Sequence, residues 1–146
     1  MKLNEIIDIK HMLNEGFDLE VLKYLLSWAI TLTPYGEAPL PVVEEKPHSF
    51  FVEEVCNGVE CNVLAWYNDK GIVYVDNNIT DDELRDEMVF HEFVHYLQDK
   101  HGNFDTYSCE DSIAREKEAY KAQSRFAVEA RGRLPRPVNH RVRCKK

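Results

Sequence analysis

No apolar run in these 146 residues is long enough to cross a bilayer. The longest, residues 21–32, is broken by Lys23 and Ser27, whereas a membrane helix needs about 20 predominantly apolar residues. The opening Met1-Lys2-Leu3-Asn4-Glu5 has neither the basic start nor the apolar stretch of a secretory signal. No membrane partner is expected, and a cytoplasmic location is. Cysteine is scarce: Cys56, Cys61, Cys109 and Cys144 form no CxxC pair, so the spacing points to no cysteine-based metal site. Cys56 and Cys61 flank Asn57-Gly58, a hairpin turn signal, and could face each other across a two-stranded ribbon. A disulfide between them is possible in an oxidising compartment; in the absence of a secretory signal, two buried or free thiols are the expectation. Internal repeats and low-complexity segments are also absent.

Acidic residues are missing from residues 131–146, which hold seven Lys/Arg. Residues 1–130 therefore carry 11 basic and 26 acidic groups, a balance of −15 within a net charge of −8. Such an acidic body disfavours nonspecific nucleic-acid binding. The basic tail could contact nucleic acid or an acidic partner. The plainer alternatives are a solvated extension or a tail docked on its own acidic domain. The length suits one domain, residues 1–130, followed by that tail.

Apolar spacing predicts a helix over residues 3–15, ended by Gly16, and a second from an Asp18 cap to Leu32. Residues 38–48 are proline-rich, irregular or a short edge strand at Val42-Val43. Three β-type runs follow at residues 49–56, 60–67 and 71–76, with turns at Asn57-Gly58 and residues 68–71. They read as an antiparallel meander. Thr80-Asp81-Asp82-Glu83 looks like a capping box opening a helix to about residue 100, with Gly102 as its stop. A last helix covers about residues 110–130. The expected class is α+β, order ααβββαα, a small antiparallel sheet packed against the helix that begins near Thr80.

That helix carries His91-Glu92-Phe93-Val94-His95, an HExxH motif. Residues four apart share a helix face, so both imidazoles can reach one ion. Glu92 lies about 100° around the helix from His91, beside the ion, where it can act as general base. Met88, Val89, Phe90, Phe93, Val94 and Leu97 give the helix the apolar stripe of a core element. A catalytic zinc takes three protein ligands and leaves the fourth position to water. His101 has the spacing of HExxHxxGxxH, but Gln98 stands where that motif needs the helix-breaking glycine, and no methionine follows Met88 to form a Met-turn. On an unbroken helix His101 points about 240° away from His95.

Arg115-Glu116-Lys117-Glu118-Ala119-Tyr120 in the last helix resembles the glutamate motif of the gluzincins. These are HExxH peptidases whose third ligand is a glutamate on a following helix, often in the form ExxA[DN]. The match covers roughly residues 71–130 and is similar to small zincin-like proteins of bacterial and phage type. It implies a zincin-like fold, one catalytic Zn2+ held by His91, His95 and Glu116, and Ala119 as the small residue for close helix packing. Tyr120 stands where Asp or Asn usually orients a histidine. Glu118 also precedes Ala and would serve in a shifted register, about 200° from Glu116.

The implied activity is zinc-dependent hydrolysis of peptide bonds, with Glu92 taking the proton of the attacking water. Tyr96, Tyr107, Tyr120, Arg125 and His140 are possible oxyanion donors, and residues do not choose among them. Residues 71–76, the strand before the motif helix, are expected at the cleft, where an extended peptide could add to the sheet. Two other readings stand beside this one. One is a non-catalytic binding module that reuses the fold, with its acidic body or basic tail contacting a partner and Cys109 or His101 closing the metal shell. The other is a hydrolase of non-peptide amides.

Overall fold

Two aspartates begin the helices that frame the molecule. In the computed structural model, which describes residues 17–68, 70–102, 104, 108–138 and 144, Asp18 accepts the Glu20 N–H at 2.8 Å and starts α1, Leu19–Leu32. Asp81 accepts from Glu83 and Leu84 and starts the longer α3, Asp82–His101. The cap is thus Asp81 rather than Thr80. The helix expected at residues 3–15 lies outside the described residues.

Between these helices come β1 (Val42–Lys46), α2 (His48–Glu54), β2 (Ala65–Tyr67) and β3 (Ile72–Asp76). After α3 comes α4, Cys109–Glu129, capped by Ser108. The class is α+β, four helices and one three-stranded sheet among the described residues, but two expectations fail. Residues 49–56 were expected as a strand; the backbone there is α2, and Asn57 and Gly58, both at positive φ (55° and 83°), end that helix instead of turning a hairpin. Asn-Gly supplies left-handed conformations wherever they are needed, and a helix C-terminus needs them as much as a type I′ turn does. The sheet is also mixed. Its order is β1-β3-β2, with β1 parallel to β3 and β2 antiparallel to it. The parallel pair is possible because α2 and β2 supply the crossover that a parallel connection requires.

Strand alternation sorts the side chains into two layers. Val43, Val73 and Val75 are fully buried and join Leu22, Leu25, Ala29, Val89, Phe93 and Phe126 in one core against α1, α3 and α4. On the other face Trp66 and Tyr74 are cross-strand partners, and Phe50 of α2 lies 4.7 Å from the Tyr74 ring. Ala119 and Ala122 are buried where α3 meets α4, and Phe90 stacks on Phe126 at 4.6 Å. Gly102 ends α3 because space forbids a side chain: a Cβ there would come within 2.6 Å of the Gln98 carbonyl oxygen.

The start of the basic tail docks on its own domain. Arg131 pairs with Asp86 at 2.8 Å, and Arg133 and Arg136 both reach Glu87, whose side chain is almost wholly buried. Cys56–Cys61 is a disulfide rather than the expected pair of thiols, and Cys109–Cys144 is a second disulfide. The turn ending α2 brings the first pair together, and the second bond ties Cys144 to the first residue of α4. Among the described residues, no helix is long and apolar enough to cross a membrane.

Candidate metal centre

His91 and His95 lie one turn apart on α3 and face the same side of it, toward α4. His91 and Glu92 are buried, and His95 opens onto a cleft. Atoms of His91, Glu92 and His95 that could ligate a metal all lie within 4.8 Å of one another, so this group could hold a single metal ion. From α4, one carboxylate oxygen of Glu116 meets both imidazoles. Its Oε1 is 3.3 Å from His91 Nε2 and in closer contact with His95 Nε2. Two helices thus bring one carboxylate and two imidazoles to one point.

The other ring nitrogens show why Nε2 is the atom each histidine offers. His91 Nδ1 is 2.9 Å from Gln123 Oε1, and His95 Nδ1 is 2.8 Å from Gln98 Oε1. An amide oxygen only accepts, so both Nδ1 atoms carry a proton and Nε2 is the atom each ring turns toward Glu116; giving up the Nε2 proton would leave a lone pair there for a cation. The orientation of Gln98 is itself fixed. Its amide nitrogen donates to the Arg115 carbonyl at 3.0 Å and to Glu118 Oε1 at 2.9 Å, which turns its oxygen toward His95. Glu118 also accepts from the Tyr35 hydroxyl. Burial pushes the Tyr35 phenol well above its ordinary value, and the bond to Glu118 and that residue's charge push further.

Electrostatics follow from the same contacts. Burial would lower His95, but the Glu116 bond and the charges of Glu92 and Glu116 hold it above the usual histidine value. Burial would raise Glu116, yet the hydrogen bonds and charges of the two histidines hold it well below the usual carboxylate range. A carboxylate kept ionised beside two neutral-capable imidazoles suits a divalent cation. Glu92 lies beside this group, with its Oε1 held by the Tyr67 backbone N–H at 2.9 Å.

The structure brings His91, Glu92, His95 and Glu116 together, and it places the competing residues apart. His101 Nε2 is 3.0 Å from the Glu37 carbonyl oxygen on an exposed surface. Glu118 supports Gln98. Cys109 is consumed by its disulfide. Tyr96 donates to the Pro39 carbonyl and Arg125 pairs with Glu129; Tyr107 and His140 lie outside the described residues. The Tyr120 ring packs on His91 at 4.5 Å between centroids, while Gln123 makes the hydrogen bond expected of the orienting position.

The sequence marks Gln98 only as the residue in place of a motif glycine, and points to neither Gln98 nor Gln123 as a partner of the histidines. Gln98 is three residues beyond His95 and Gln123 seven beyond Glu116, spacings that share a helix face.

Beside the site lies a cleft of about 440 Å³ lined by Trp66, Tyr67, Glu92, His95, Asp99, Ser112, Arg115 and Glu116. Its sheet edge is β2. The strand expected there, β3, is central and paired on both sides, so it has no free edge to which a peptide could add. Compared with known proteins, the chain matches no family model, no curated protein and no solved structure.

Proposed function

We propose that this chain is a zinc-dependent metallopeptidase of gluzincin type. The observation that carries the reading is the convergence of the His91 and His95 Nε2 atoms on one Glu116 oxygen, with both Nδ1 atoms tied to glutamine oxygens. That donor set, two imidazoles and a carboxylate with a fourth side facing a cleft, fits a catalytic rather than a structural zinc.

Zinc held by His91, His95 and Glu116 would supply Lewis acidity, activating a water and polarising the scissile carbonyl. Glu92 accepts the proton of the attacking water and returns it to the leaving amine. The Tyr67 N–H fixes one Glu92 oxygen, leaving the other to take the proton. Trp66 and Tyr67 line the cleft beside Glu92 and His95.

The test pairs metal analysis with a peptide-library assay. Wild type should hold one zinc per chain and cleave. Glu92→Gln should keep the zinc and lose at least a hundredfold in rate, on the order of a general base's contribution, and His91→Ala should lose both. Zinc-free wild type whose behaviour His91→Ala leaves unchanged would end the proposal.

A further inference from the structure

Arg115 lies in the cleft, yet the proposed reaction leaves it without a task. Every other described arginine is ion-paired: Arg85 with Glu45, Arg125 with Glu129, Arg131 with Asp86, and Arg133 and Arg136 with Glu87. Arg115 has no such partner among the described residues, and its Nε is buried without a hydrogen-bond acceptor. Among the described lining residues it is the one Lys or Arg, in a wall that also holds Glu92, Asp99 and Glu116. A guanidinium with a buried, unsatisfied N–H is costly to maintain unless something accepts from it. Glu116 is engaged by the histidines and Asp99 by the Tyr67 hydroxyl at 2.6 Å. Arg131 and Arg133 have a buried Nε of the same kind, so what sets Arg115 apart is that its terminal nitrogens face the cleft with no carboxylate of the described residues paired to them, leaving them open to an acceptor from outside.

The backbone of Arg115 is fixed. Its carbonyl accepts from Gln98, the residue that orients His95, and Glu116 follows it directly. Ser112, one turn earlier on α4, lines the same cleft and adds a hydroxyl donor. We propose that Arg115 determines specificity: the substrate carries a carboxylate near the scissile bond, taken by the Arg115 guanidinium with Ser112 as second donor. This rests on the peptidase reading and names its substrate class. The carboxylate has two sources, a peptide's free C-terminus or an Asp/Glu side chain. Either answers to the planar fork of an arginine. In a cleft otherwise rich in carboxylates, Arg115 is what makes an anionic substrate acceptable.

The test uses matched peptide pairs on zinc-loaded wild type, Arg115→Gln and Arg115→Lys: C-terminal acid against amide, and end-blocked peptides with Asp or Glu against Asn or Gln. In wild type one type of pair should favour the acid by roughly tenfold or more in kcat/KM, as expected for a charge-assisted bond, and that pair identifies the source. The preference should fall to within about twofold in Arg115→Gln and survive in part in Arg115→Lys. A second readout needs no turnover. In 15N-labelled Glu92→Gln protein, the Arg115 Nε–H resonance should shift with acetylated dipeptide acids and not with their amides. Cleavage without acid preference, or a preference that persists in Arg115→Gln, overturns this inference and leaves the peptidase reading standing. A resonance shift with no cleavage by wild type would overturn the peptidase reading and support the anion site.

Discussion

Gln98 and Gln123 decide which nitrogen each imidazole presents, and so would govern the site's affinity for a metal they do not touch. Replacing Gln98 by Leu keeps much of the volume and removes the acceptor that holds His95 Nδ1–H. Affinity for zinc should fall roughly 10–100-fold, the usual effect of losing such a partner, in a chelator competition titration with the helical content unchanged. Glu118→Gln should cost less, at most about tenfold, because Gln98 retains the Arg115 carbonyl. An unchanged affinity in Gln98→Leu would show that the ring orientation is set by packing alone. The same residues mark how far the sequence could be read. His91, Glu92 and His95 were legible because a four-residue helical spacing is a property of one segment. Glu116 became legible through its likeness to a known motif. Gln98 was not, since its acceptors Arg115 and Glu118 sit on another helix, and nothing within α3 distinguishes it from a solvated glutamine.

α3 carries the candidate metal site in its middle turns and an anchor nearer its start. One turn before His91, Glu87 is buried against Arg133 and Arg136, which hold the start of the tail on the first turns of the helix. Glu87→Ala leaves two guanidinium groups without their shared carboxylate, and breaking such a buried pair costs about 3 kcal/mol or more. The midpoint of urea unfolding should drop accordingly, and amide exchange should quicken in the first turns of α3. Glu83→Ala, which removes only the exposed 3.4 Å pair with Arg133, should cost less than about 1 kcal/mol. Equal losses in the two variants would mean that burial of Glu87 carries no special weight. Element identity was legible wherever pattern and cap agreed, as in α1 and α3. It failed at α2, where Phe50, Phe51 and Val52 suggest a strand. There the crossover between the parallel strands β1 and β3 and the burial of Phe51 override local β preference.

Closure of the molecule depends on contacts far apart in the chain, and two devices supply it. His48, at the start of α2, joins Asp76 at the end of β3 (2.8 Å) to Glu60 in the approach to β2 (2.7 Å). The hydrogen bonds to Glu60 and then Asp76 raise its pKa above the ordinary 6.5, against the effect of burial. A raised folded value means the contribution is fully present below the unfolded pKa and is lost as pH rises through the folded one. A neutral imidazole can donate from only one nitrogen, so one of the two carboxylates then loses its donor. Wild type should therefore be more resistant to urea at pH 6 than at pH 8, and His48→Gln should flatten that difference. An undiminished slope would place the pH dependence elsewhere. The second device is covalent. Cys109–Cys144 closes a separation of 35 residues containing α4, with Arg115, Glu116 and Gln123 inside the loop, whereas Cys56–Cys61 closes a separation of 5. No spacing rule in the sequence could pair cysteines so far apart, because what brings them together is tertiary packing and not nearness along the chain. Chain entropy assigns about 4 kcal/mol to the long loop and about 2 kcal/mol to the short one. Cys144→Ser should accordingly lower stability about twice as much as Cys61→Ser under oxidising conditions, and the two should become indistinguishable from wild type in dithiothreitol. A larger loss from the short loop would mean that the Cys56–Cys61 bond acts by fixing the end of α2, and that the ion pairs to Asp86 and Glu87 suffice to hold the tail.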